Sequence, residues 1–83
     1  MTIGERITYL RKKKGWSQAR LAREAHIGQS TLHAYEAGNR PAHGMSVDVA
    51  IRLAKVLGVT VDYLVGVYDE SEQEAAGMEL VGT

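Results

Sequence analysis

Gln18 and Gln29 each stand at the start of a short amphipathic stretch, and Ser30, Thr31, His33 and Ala34 follow the second of them within one or two helical turns. An amide at a helix start lies beside backbone N–H groups unused within the helix and beside the positive end of its dipole, which suits a phosphate oxygen. A glutamine also pairs bidentately with N6 and N7 of adenine. Serine and threonine hydroxyls donate or accept, the methyls of threonine and alanine meet a thymine methyl, and an imidazole donates to guanine. Gln29, Ser30, Thr31, His33 and Ala34 are therefore candidates for contact with base edges. Lys12, Lys13, Lys14, Arg20, Arg23, Asn39 and Arg40 surround them, side chains of the kind that fixes register on a phosphate backbone without reading sequence. Gln18, Arg20, Asn39, Arg40 and Lys14 form the phosphate set carried forward.

Other chemistries find little support. The chain has no cysteine, which removes disulfides, thiolate metal sites and a cysteine nucleophile. His26, His33 and His43 lack the short spacing of a zinc site, so neither a metal nor a cofactor is expected. No glycine-rich phosphate loop follows a strand, no His-Glu-x-x-His helix occurs, and the acidic residues gather near the carboxyl end. The chain does not read as an enzyme.

A net charge of zero conceals a split. Residues 1–40 carry eight basic against three acidic side chains, and residues 41–83 carry two basic against seven acidic. One end can face phosphate while the other faces water. With 83 residues the chain holds one domain, and a domain of this size buries only about 60% of its unfolded surface, so association with a second copy would help it. No apolar run approaches the roughly 20 residues of a membrane span and no secretion signal is visible, so a cytoplasmic, non-membrane protein is expected.

Helical spacing accounts for the chain as far as Gly66. Thr2 and Glu5 form a capping box before Ile3, Ile7 and Leu10, giving a first helix over 3–14 that Gly15 ends, with Trp16 placed to pack back on the last turn. Ser17 caps a second helix over 18–25, with Leu21, Ala22 and Ala25 on one stripe. A third over 29–37 turns Leu32 and Tyr35 inward and ends at Gly38. Asn39, Arg40 and Pro41 begin a loop. Ser46 caps a fourth helix whose buried stripe is expected to be Val47, Ala50, Ile51, Ala54 and Leu57, widened by Val49, Leu53 and Val56. Thr60 caps a short fifth that Gly66 stops. The fold class is all-α, residues 1–66 form the domain, and residues 67–83 read as an acidic tail. The second and third helices, joined at the tight corner His26-Ile27-Gly28, have the shape of a DNA-reading helix-turn-helix.

Leu10-Arg11-Lys12, Gly15-Trp16-Ser17-Gln18, Leu21-Ala22, Gln29-Ser30-Thr31-Leu32, Glu36-Ala37-Gly38 and Leu53-Ala54-Lys55-Val56-Leu57-Gly58-Val59 recur in the order that resembles the phage Cro and cI repressor type of helix-turn-helix, the XRE family, over about residues 3–66. The resemblance implies a five-helix, phage-repressor-like domain whose third helix enters the major groove. It also implies a homodimer on a two-fold operator, a backbone contact from Arg40, and a structural ion pair between Arg11 and Glu36. Two residues depart from the family pattern. His26 replaces the usual glycine of the turn, although histidine tolerates positive φ better than most residues. Gly28 stands where a serine or threonine often caps the reading helix, at a cost of a few tenths of a kcal/mol.

The resulting expectation is a sequence-specific binder of double-stranded DNA acting as a transcriptional regulator of repressor type. Its dimer face is expected on the fifth helix, the end of the fourth and the first tail residues, through Val61, Tyr63, Leu64, Val67 and Tyr68. The alternative is a protein-interaction module, of antitoxin or restriction-modification controller type, that engages a protein partner through the acidic tail.

Overall fold

The structure, a computed structural model, describes residues 1–40 and 44–66. Pro41, His43, and the whole tail with its expected interface residues Val67 and Tyr68 lie outside the described residues. Within them the chain forms five α-helices: α1 (Ile3–Lys13), α2 (Gln18–Ala25), α3 (Gln29–Glu36), α4 (Val47–Leu57) and α5 (Val61–Val65). The described residues are thus all-α, with the five helices in the order the sequence predicts.

Four of the helix starts are closed by a hydroxyl. Thr2 Oγ1 accepts from the Glu5 N–H at 3.1 Å while Glu5 Oε1 accepts from the Thr2 N–H at 3.0 Å, completing the capping box. Ser17, Ser46 and Thr60 accept in the same way from the N–H groups of Arg20, Val49 and Tyr63. At the carboxyl ends of α1 to α4 the chain turns back through one device. The N–H groups of Trp16, Ile27, Asn39 and Val59 donate to the carbonyls of Arg11, Ala22, Ala34 and Ala54, at 2.9 to 3.1 Å. Such a closure requires a left-handed residue just before the donor. Glycine supplies it three times, and His26 supplies it between α2 and α3 with φ 55° and ψ 47°. The turn therefore keeps its geometry despite the histidine.

The core gathers one stripe from each helix: Ile3, Ile7 and Leu10 from α1, Leu21, Ala22 and Ala25 from α2, Leu32 and Tyr35 from α3, Leu53, Ala54 and Leu57 from α4, and Tyr63 and Leu64 from α5. Ile7, Leu21, Leu32, Leu53 and Leu64 are fully buried. Burying a large aliphatic side chain stabilises the fold by about 1.5–3 kcal/mol, a large contribution from each of these five in a domain this small. The α1–α3 crossing is close because Gly4 lies on the carboxyl end of α3: an added Cβ would fall on the Tyr35 carbonyl oxygen.

Two sequence expectations need correction. Val47 and Ile51 were expected within the α4 stripe but are 75% and 49% exposed. The helices packed most extensively on α4 are α2 and α5; the buried residues of α4 are Ala50, Leu53, Ala54 and Leu57, and Val47 and Ile51 lie off that stripe. Arg6, counted with the basic half, is buried. It falls on the stripe of Ile3, Ile7 and Leu10, and its Nη1 donates to the Tyr63 carbonyl at 2.7 Å while the guanidinium lies 4.8 Å from the Tyr63 ring centroid. This arginine ties α1 to the end of α5 and is withdrawn from any phosphate surface.

Candidate nucleic-acid interface

The helices α2 and α3 meet at the His26 corner with Leu21, Ala22, Ala25, Leu32 and Tyr35 all directed into the core. That leaves the opposite face of α3 outward. Gln29, Ser30 and His33 are exposed on it and Thr31 and Ala34 are half-buried at its edges. The face is polar and uncharged, so it offers hydrogen-bond donors and acceptors without repelling an anionic partner. Gly28 caps α3 with no side-chain bond, which leaves its amino end uncovered by the chain's own hydroxyls.

The carboxyl end of α3 is clamped to α1. Arg11 donates from Nε to Glu36 Oε2 at 2.9 Å and from Nη2 to Oε1 at 2.8 Å, a two-pronged pair in which both side chains are largely buried. Its third nitrogen, Nη1, donates to the Trp16 carbonyl at 2.8 Å. Glu36 Oε1 also accepts from Gln18 Nε2 at 3.2 Å and lies 2.9 Å from Thr8 Oγ1, whose hydroxyl is equally close to the Gly4 carbonyl. Burial by itself would raise the Glu36 pKa. The hydrogen bonds from Arg11, Gln18 and Thr8, with the charge of Arg11, outweigh it and hold the carboxyl below its ordinary value. The acid is thus held ionised by its neighbours.

The positions of the phosphate candidates differ. Gln18 is half-buried and spends one amide hydrogen on Glu36; its NH2 group has a second that can be offered outward. Asn39 and Arg40 are exposed on the loop after α3, and the Arg40 guanidinium lies 5.8 Å from the Tyr35 ring centroid. Lys14 and Arg20 both approach the indole of Trp16, at 5.2 and 4.9 Å from its centroid. Arg20 in addition lies 3.9 Å from Glu24, a long contact between half-exposed side chains and therefore a weak one.

A helix-turn-helix family profile matches residues 7–64. The chain belongs to the helix-turn-helix family of Cro/cI (XRE) type. It is 32% identical over 66 residues to the HTH-type transcriptional regulator ImmR of Bacillus subtilis (strain 168), an alignment covering 80% of this chain and 50% of ImmR. Among solved structures it resembles the master regulator for biofilm formation SinR in complex with DNA, at 33% identity and a TM-score of 0.70, over 76% of this chain and 97% of that one. It also resembles the P22 c2 repressor in complex with a synthetic operator, at 26% identity and a TM-score of 0.72, over 80% and 96% of the two chains. The chain spans about half the length of the curated relatives it matches.

Of the residues expected at a dimer face of this helix-turn-helix domain, Tyr63 and Leu64 must be reassigned, because both are buried in the monomer core. The fifth helix is little more than one turn and needs both of them to close over α1 and α4, while Val61 is half-buried against the same core. Apolar surface is instead exposed on α4, at Val47 and Ile51. Trp16, expected only to pack back on α1, also carries two cations near its ring. The signal was present in Lys14-Gly15-Trp16 and in Arg20, one helical turn beyond Trp16.

Proposed function

We propose that this chain is a DNA-binding transcriptional regulator that acts as a repressor, occupying a two-fold operator as a homodimer with one α3 in each major groove. The observation that carries the reading is the placement of α3. Its outward face is uncharged and rich in hydrogen-bonding groups, its inward face is locked in the core, and exposed cations stand on the connectors before α2 and after α3. Gln29, Ser30, Thr31, His33 and Ala34 contact base edges in this reading, and Gln18, Lys14, Arg20, Asn39 and Arg40 contact phosphates. The names of the relatives and the DNA bound in the two similar structures support it. In this reading the protein acts on DNA in the cytoplasm; no helix of the described residues is long and apolar enough to cross a membrane.

The test is selection of bound duplexes from a random pool, with sequencing of the bound fraction and sedimentation of the complex. A dimeric operator binder yields a two-fold motif with half-sites about 34–36 Å apart, two chains per duplex, and an affinity that falls steeply with salt. Featureless enrichment, or one chain per selected duplex, would count against it.

A further inference from the structure

We propose that Trp16 is a positioning residue for DNA binding: its indole gathers the Lys14 ammonium and the Arg20 guanidinium into one cationic clamp for a single backbone phosphate. The inference rests on the DNA reading above and adds a residue and a mechanism to it. Trp16 lies in the connector between α1 and α2, and its backbone is fixed on both sides: its N–H donates to the Arg11 carbonyl and its carbonyl accepts from Arg11 Nη1. The side chain is half-buried against the core, so the ring is not free to swing. Lys14 and Arg20, from opposite sides in sequence, then approach the same ring within the range at which a cation is attracted to an aromatic face.

Two like charges brought to one ring repel each other. Arg20 has only its long contact with Glu24 to offset this, and no carboxylate among the described residues pairs with Lys14. A phosphate that both cations reach offsets this repulsion, and its oxygens supply the charge and the acceptors that an ammonium and a guanidinium need. The ring also restricts two long side chains that would otherwise lose rotamer freedom on binding, so the clamp is organised before DNA arrives.

The experiment compares wild type, Trp16→Phe and Trp16→Leu in binding one duplex over a series of salt concentrations, with circular dichroism to establish that each variant is folded at the assay temperature. Trp16→Leu should weaken binding roughly tenfold at low salt and make the slope of log K against log salt shallower by about 0.9, the loss of one phosphate. Trp16→Phe, which keeps an aromatic face, should restore most of both. A folded Trp16→Leu protein with the wild-type slope overturns the clamp and leaves the DNA reading standing, because a merely structural tryptophan changes stability and not counterion release. Salt-independent or absent binding by the wild type overturns both. If Trp16→Leu does not fold, the wild type decides the matter through its single tryptophan. Saturating duplex should change its emission, and unchanged emission overturns the proposal.

Discussion

Replacing Glu36 by glutamine keeps the shape of the side chain and removes the charge on which Arg11, Gln18 and Thr8 converge. The Arg11 guanidinium, only 12% exposed, is left facing a neutral amide whose NH2 cannot accept. Breaking a fully buried pair on one side costs about 3–5 kcal/mol. Arg11 keeps its bond to the Trp16 carbonyl and some solvent, so the low end applies, about 3 kcal/mol. Set against the roughly 5 kcal/mol of a domain this small, the variant should stay folded with less than half its stability. In urea, with a slope of about 1 kcal/mol per molar, the midpoint should fall by about 3 M. A loss below about 0.5 kcal/mol, the worth of an exposed pair, would refute the view that this clamp holds α3 in place.

The pH dependence of the same pair of proteins gives an independent check. Because the folded-state pKa of Glu36 lies below its ordinary value of 4.5, its contribution is complete above that pH and is lost as pH falls through the lowered folded value. Wild-type stability should therefore decline from about pH 4.5 downward, and the gap between wild type and Glu36→Gln should close over that window. The double change Arg11→Met with Glu36→Leu, which leaves no buried charge behind, should recover much of what the single change loses.

Further outcomes are expected elsewhere. Gly4→Ala, normally stabilising by up to about 1 kcal/mol inside a helix, should instead destabilise by roughly 2 kcal/mol or more, because the new methyl meets the Tyr35 carbonyl; urea titration would reveal the sign. His26→Gly should raise the melting temperature, since it relieves a left-handed residue worth up to about 1 kcal/mol; a lower melting temperature would mean that the imidazole makes a stabilising contact. Arg40→Gln should weaken binding to all duplexes alike and flatten the salt slope by about 0.9, whereas Gln29→Ala should weaken the selected duplex more than a random one. A sequence-dependent loss for Arg40→Gln would move that residue from the phosphate set to the base set.

The helices and their caps were legible in the sequence because each is set by neighbours in the chain. A hydroxyl before an amphipathic run, a glycine after it, and a histidine that accepts positive φ all act within a few residues. The side chains that join distant elements were harder to assign. Arg6 looks like any other basic residue of the first helix until α5 lays a carbonyl against it, although its place in the Ile3–Ile7–Leu10 stripe was a signal. Gly4 matters only because α3 crosses at that point. Tyr63 and Leu64 were assigned to a surface since the sequence does not show how little of α5 remains to close the core. The outward face of α3 was readable for a simpler reason: once Leu32 and Tyr35 are turned inward, helical geometry leaves Gln29, Ser30 and His33 nowhere else to go.

The position of α3 follows from α1 as much as from the α2–α3 turn. The turn fixes the angle between α2 and α3 through the His26 closure, but it does not orient the pair on the domain. The buried Leu21, Leu32 and Tyr35 do so by packing in the core, and Arg11 adds polar ties at two points, gripping Glu36 at the carboxyl end of α3 and the Trp16 carbonyl just before α2. One side chain on α1 therefore touches both α3 and the connector that carries Lys14 and Trp16. Gln18 joins the same carboxylate from the first turn of α2, so the start of one helix and the end of the other are bonded to a common group. Base-edge contacts tolerate little error in distance, and phosphate contacts set the register in which they are made. Tying α3 and the connector before α2 to one arginine couples their positions, so in the proposed DNA complex the base-contact face of α3 and the cations beside it are held in one register.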